Sequence, residues 1–188
     1  MDVCSLSGGS WRVVGHDVLC PTPFAMDSIG QQARTAAALD GVFIWRVPGH
    51  KIAAFDFTDE VLRTTPLPDG GRLSEYDYVV GSSITFLNGH VSLLAFSSSK
   101  MNPKCSDLEI WVLLEFGVKE SWTRLTTIGL SIDFERPLGF WKRGELLMVN
   151  REGQLVLYDP FTRTKKNLHV VAALDIVLHT PSSIAVNL

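Results

Sequence analysis

The chain has little that would steer it to a membrane, a disulfide framework or a strongly charged partner. No long apolar run occurs: the best candidates, such as ITFLNGHVSLLAF, are interrupted by Asn-Gly or His, and none could cross a bilayer. Cysteine is scarce. Cys4, Cys20 and Cys105 are odd in number and lack C-x-x-C spacing, so they read as reduced thiols of a cytoplasmic or nuclear protein. The start, MDVCSLSGGSWR, has no basic residues followed by an apolar stretch, so no signal peptide is expected. Asn-x-Ser/Thr sequons and low-complexity tracts are missing too. A formal charge of −3 exerts no global pull toward nucleic acid or anionic lipid. What is present is apolar: 46% of the 188 residues are hydrophobic, enough for one domain with a sizeable core.

Motifs for chemistry are absent as well. His16, His50, His90, His169 and His179 show no H-x-x-x-H or similar spacing, and they are expected at the surface or at strand edges rather than on a metal. Gly81-Ser82-Ser83 is not the G-x-S-x-G elbow of a serine nucleophile. PDGGR lacks the frame of a phosphate loop. Asp56, Asp59 and Glu60 gather in DFTDE, but without the twelve-residue calcium frame they read as a solvated hairpin end. The basic run Arg163 to Lys166 has no interleaved aromatic platform for nucleic acid. The expectation is a protein that is not an enzyme and needs no cofactor.

The stretch REGQLVLYDPFTRTKK, Arg151 to Lys166, shows the organising pattern. It reads as strand, tight turn and more polar strand, because Asp159-Pro160 breaks any helix. One such unit cannot bury its own apolar face, and it has siblings. Hairpin openings recur at ALDGVFIWRV, FLNGHVSLLAF and GFWKRGELLMV, around Asp40-Gly41, Asn88-Gly89 and Lys142-Arg143-Gly144. Asn-Gly and Asp-Gly suit two-residue turns because both positions need positive φ. Each opening is followed by strand, turn and strand, with turns at Thr58-Asp59, Gly117 to Glu120 and Pro160 to Thr162. Gly41, Gly89 and Gly144 recur at roughly the 50-residue period of a four-stranded kelch-like blade. DVCSLSGGSWRVV supplies a half-unit, with Trp11 where Trp122 sits in the second full unit.

The fold class is therefore all-β: a propeller-like array of about three and a half four-stranded antiparallel blades, incomplete or open. The units run over 1–37 (partial), 38–84, 85–137 and 138–188. In each, apolar strands stack on the next sheet, and the basic or hydroxylated strand guards the outer edge. Trp11 and Trp122 are expected to staple neighbouring sheets. Trp45 and Trp141 lie close to hairpin ends, where burial and exposure are both open.

Several of these segments resemble one family. GSWRVV, IAAFDFTDEVLRTTPLP, LEIWVLLEFGVKESWTRL and PLGFWKRGELLMVNREGQLVLYDPFTRTKKNL are similar, in the same order, to the F-box-associated interaction domain of plant F-box proteins. The likeness covers nearly the whole chain. It implies a substrate-recognition part of an SCF-type ubiquitin ligase: a helical F-box docks the Skp-type adaptor and through it the cullin, and the propeller-like domain grips a target protein. No F-box pattern precedes Trp11, so adaptor and cullin would be reached only through that missing element. A chain of this kind would be a truncated form, a non-productive competitor for the target, or an unstable remnant. A rival reading is a propeller that binds glycans or other small ligands.

Topology narrows the place of binding. In an up-and-down blade, the tight hairpin turns share one end, and the longer connections share the other. Long loops on a rigid scaffold are where binding usually lives. Those loops carry His50, Lys51, Tyr76, Tyr78, Lys100, Asn102, Lys104, Glu135 and Arg151, a mixed set suited to a protein surface. The cut first unit also predicts a bare apolar face or edge, and self-association through it.

Overall fold

The computed structural model describes residues 2–4, 11–13, 24–26, 32–34, 36–39, 41–47, 50–69, 79–98, 106–130 and 134–171. Short runs rich in β-branched and aromatic residues, punctuated by turn residues, form strands throughout. Three antiparallel four-stranded sheets follow one another along the chain. The first comprises β5 (Ala36–Leu39), β6 (Val42–Val47), β7 (Lys51–Asp56) and β8 (Val61–Pro66). The second comprises β9 (Val79–Leu87), β10 (His90–Ser98), β11 (Ser106–Leu113) and β12 (Trp122–Leu130). The third comprises β13 (Phe134–Phe140), β14 (Leu146–Asn150), β15 (Gln154–Asp159) and β16 (Thr164–Val171). In each sheet the strands pair in chain order. Upstream, β1 (Asp2–Cys4) pairs with β2 (Trp11–Val13), and β3 (Phe24–Met26) with β4 (Gln32–Arg34). This is the all-β, open, propeller-like array of four-stranded sheets that the repeats imply.

The turns fall where the residue chemistry puts them. Asn88 and Gly89 adopt φ of 50° and 81°, both positive, as a two-residue hairpin between twisted strands requires. The outer turns of the first and third sheets are copies of one another. Asp56 Oδ1 accepts the N–H groups of Thr58 (2.8 Å) and Asp59 (3.3 Å). Asp159 Oδ1 accepts those of Phe161 (2.8 Å) and Thr162 (3.3 Å). Four residues after each aspartate, Glu60 and Arg163 both take φ of 55°. The acidic DFTDE segment is thus a hairpin end organised by an Asx turn.

Asp159 provides a local test. The Thr162 hydroxyl, 2.8 Å from Oδ2, and then the Phe161 amide hold its carboxyl below the usual aspartate value. A depressed folded-state value contributes stability above the unfolded-state value, and the contribution is lost as pH falls through the folded one. The Asp159 midpoint, followed by carboxyl NMR, is expected below that of an ordinary aspartate. Thr162→Val should move it upward, and identical midpoints in the two proteins would remove the hydroxyl as the cause.

The core lies between sheets. Ile44, Ile52, Ala54 and Leu67 of the first sheet and its exit pack on Ile84, Val91, Leu93, Trp111, Leu113 and Trp122 of the second. The other face of the second sheet, with Leu94, Phe96, Leu108, Ile110 and Leu130, packs on Leu146, Met148, Val156 and Tyr158 of the third. Both faces of β10 are buried, which is why LLAF is a continuous apolar run and not an alternating one. The first strands of successive sheets lie side by side, β9 against β5 and β13. Ser83 Oγ donates to the Pro137 carbonyl (3.1 Å) across the second of these contacts. Strands β8, β12 and β16 are the outer edges. Their exposed residues are polar or charged over long stretches, as at Thr123–Thr127 apart from Leu125, and Thr164–Lys166. That composition discourages pairing with another chain.

The outer faces of the three-sheet stack are not bare. Trp45, Ala53 and Phe55 are buried on the far side of the first sheet. Leu138, Leu147, Val149 and Leu155 are buried on the far side of the third. The expectation of self-association concerns the half-unit 1–37, whose side chains lie outside the described residues. The half-unit 1–37 is described only as strands.

Trp122 joins the first two sheets. It is 7% exposed, and its Nε1–H donates to the Pro66 carbonyl at 2.8 Å. Beside it, the Gly117 N–H donates to Thr65 Oγ1 at 2.8 Å, and Lys119 pairs with Asp69. The turn that presents Trp122 is held from within. Ser121 Oγ accepts the Glu115 N–H (3.0 Å) and lies 2.8 Å from the carbonyl oxygens of Glu115 and Val118; its single proton serves one of them. Trp11 holds the matching register position: it stands opposite Cys4 at the mouth of the β1–β2 hairpin, as Trp122 stands opposite Leu113.

Candidate functional site

Strand alternation places the connections of the array at two ends. The tight turns 57–60, 88–89, 114–121, 141–145 and 160–163 share one end. The connections between second and third strands, and those between sheets, share the other. Strands consume part of the connections expected to be long. β9 begins at Val79, β13 begins at Phe134, and β14 runs to Asn150. Glu135 accordingly sits in the first strand of the third sheet rather than in a loop.

Of the remaining sequence-predicted residues, three fall at the long-loop end among the described residues. His50 is exposed, has φ of 54°, and its carbonyl accepts the Leu67 N–H at 2.8 Å. Lys51 is exposed and opens β7. Arg151 is exposed in the turn after β14, beside Asn150, whose Oδ1 accepts the N–H groups of Glu152 (3.0 Å) and Gln154 (2.7 Å). Tyr76, Tyr78, Lys100, Asn102 and Lys104 lie outside the described residues. His50 and Lys51 are neighbours in one loop, while Arg151 belongs to another sheet.

Two charged residues that the sequence reading passed over are turned inward at the interface of the first and second sheets. The first is Arg46, the penultimate residue of β6. It is half-buried, and its Nη1 donates to Ser82 Oγ of β9. Burial lowers its guanidinium from the usual arginine value. The second is Glu109 of β11, only 3% exposed. Its carboxylate accepts the Trp111 indole N–H at 3.1 Å and meets Arg124 Nη1 at 3.5 Å, and the Arg124 guanidinium lies 5.8 Å from the Trp111 ring centroid. A charge at an inward position of an apolar strand, as in FIWRV and LEIWVL, is the signal that could have found both.

The tight-turn end holds large exposed hydrophobics: Phe57 (55%), Leu114 (60%), Trp141 (44%) and Phe161 (87%). Trp141 is thus a turn residue, whereas Trp45 is fully buried. Among the described residues, no group of three or more His, Cys, Asp or Glu side chains could hold a metal ion. No helix there is long and apolar enough to cross a membrane.

No protein-family model matches the chain. Among curated proteins, the chain is similar to an F-box protein of Arabidopsis thaliana. The two are 29% identical over 174 residues, covering 80% of this chain and 38% of that protein. The chain therefore spans less than two fifths of the length of this relative. The relative is a plant F-box protein, which agrees with the family that the motifs resemble.

Proposed function

We propose that the chain is the target-binding module of an SCF-type ubiquitin ligase component, of the F-box-associated, kelch-like type. The observation that carries this reading is the similarity to a plant F-box protein over 80% of the chain, joined to a succession of four-stranded sheets. The module holds a target protein and is not itself catalytic. Docking to the Skp-type adaptor and the cullin belongs to an F-box outside these residues. The target surface is the long-loop end, with His50, Lys51 and Arg151 as its described loop members, Glu135 at the start of the third sheet's first strand, and Tyr76, Tyr78, Lys100, Asn102 and Lys104 as further contributors. A cytoplasmic or nuclear location suits this role.

Affinity capture with the tagged 188-residue chain, from plant extract with the proteasome inhibited, tests the reading. A reproducible protein partner is expected by mass spectrometry. Its recovery should fall roughly tenfold or more when His50, Lys51 and Arg151 are replaced together by Ala, as for the loss of a hot spot. It should be unchanged by Phe57→Ser with Phe161→Ser. The opposite dependence would move the target surface to the tight-turn end. Direct recovery of adaptor and cullin would mean that the chain docks them itself.

A further inference from the structure

Arg46 lies at the long-loop end of the inter-sheet seam. It stands one residue before the end of β6, and the strand that faces it, β9, begins only three residues before Ser82. The guanidinium offers five N–H donors in a planar fork. Ser82 Oγ takes one of them, and no carboxylate pairs with it among the described residues. The surroundings explain why. Across the first sheet, the row running from Arg46 continues through Ile52 to Thr65, whose hydroxyl oxygen accepts the Gly117 N–H and carries no charge. Across the second sheet, the row running from Ser82 passes Ala95 and reaches Glu109 two strands away. That carboxylate is held by Trp111 and Arg124.

A partly desolvated cation without a counter-charge is costly to maintain. A planar fork with open donors is the geometry that takes carboxylate or phosphoryl oxygens two at a time. We propose that Arg46 and Ser82 form an oxyanion-recognition point on the target-binding face, filled by a carboxylate or phosphoryl group that the bound protein presents. The proposal rests on the target-binding reading for the source of that group, but not for the anion site itself.

The two parts are tested separately. The arginine side-chain Nε–H signals of the full chain are followed by NMR while sodium acetate or sodium phosphate replaces sodium chloride at constant ionic strength. The Arg46 signal, identified by its loss in Arg46→Lys, is expected to shift saturably with at least one anion, beyond the shifts of the other arginines. Saturation by phosphate alone, or by acetate alone, assigns the source. Ser82→Ala is expected to weaken that binding several-fold while leaving the amide spectrum of the sheets in place. No saturable shift with either anion overturns the site, as does a constant contact between Arg46 and a carboxylate of residues 70–78. Captured partner should fall roughly tenfold with Arg46→Gln, as for one lost charge-assisted contact. Undiminished capture would overturn the link to the target. Anion binding by a chain that captures no protein would overturn the ligase reading and leave the anion site standing.

Discussion

Trp122→Ala is expected to cost about 3–5 kcal/mol, the range for truncating a buried Trp. The indole fills the seam between the first two sheets, beside Leu67, Ile84 and Leu113, and its removal leaves a cavity there. It also leaves the Pro66 carbonyl without the N–H that it accepts at 2.8 Å. Trp122→Phe separates the two effects. It keeps most of the apolar contact and removes the donor with only part of the ring volume, so its cost should be about 1–3 kcal/mol, dominated by a buried acceptor left unsatisfied. Total stabilities of domains are about 5–15 kcal/mol, so the alanine variant should be near the limit of folding. Urea unfolding by far-UV circular dichroism is the measurement, since fluorescence changes with the residue itself. A loss below about 1 kcal/mol in Trp122→Ala would show that the seam does not depend on this side chain.

Leu93→Ala and Leu94→Ala should each cost about 2–5 kcal/mol, by loosening different parts of the molecule. Both side chains are fully buried, yet they leave the same strand on opposite faces. Leu93 belongs to the cluster with Ile44, Ile52 and Trp122, and Leu94 to the cluster with Leu146, Met148 and Tyr158. In a stacked array each unit is stabilised by its own sheet and by its nearest neighbours. Hydrogen exchange should therefore accelerate most in β6–β8 for Leu93→Ala and in β14–β16 for Leu94→Ala. Equal acceleration everywhere in both variants would mean that the sheets open as one cooperative unit, and the stack would not be an array in the energetic sense.

The hairpins were legible because their causes are local. Asn88-Gly89 and the aspartates at 56 and 159 bond or bend within a few residues, so their turn geometry follows from residue type alone. The role of Trp122 was legible for a related reason: Ser-Trp recurs at 10–11 and 121–122, at the same place in two of the units. Glu135 was misplaced because a strand's first residues look like loop until a partner strand pairs with them, as β14 does with β13. The ends of β9 and β14 blur in the same way.

By itself the sequence determined the strand succession, the repeat, the turn types and the family likeness, all of which depend on neighbours in the chain. Only the tertiary structure decided which face of each strand meets another sheet. Trp45 and Trp141 sit in similar apolar stretches, yet one is sealed on the far side of the first sheet and the other stands exposed at a turn. Arg46 and Glu109 were equally ambiguous. A strand side chain points to one of two faces, and whether that face holds water, a hydroxyl or a carboxylate depends on the facing sheet. Inter-sheet contact is where those residues acquired their meaning, and it involves chain segments more than thirty residues apart, such as Arg46 and Ser82.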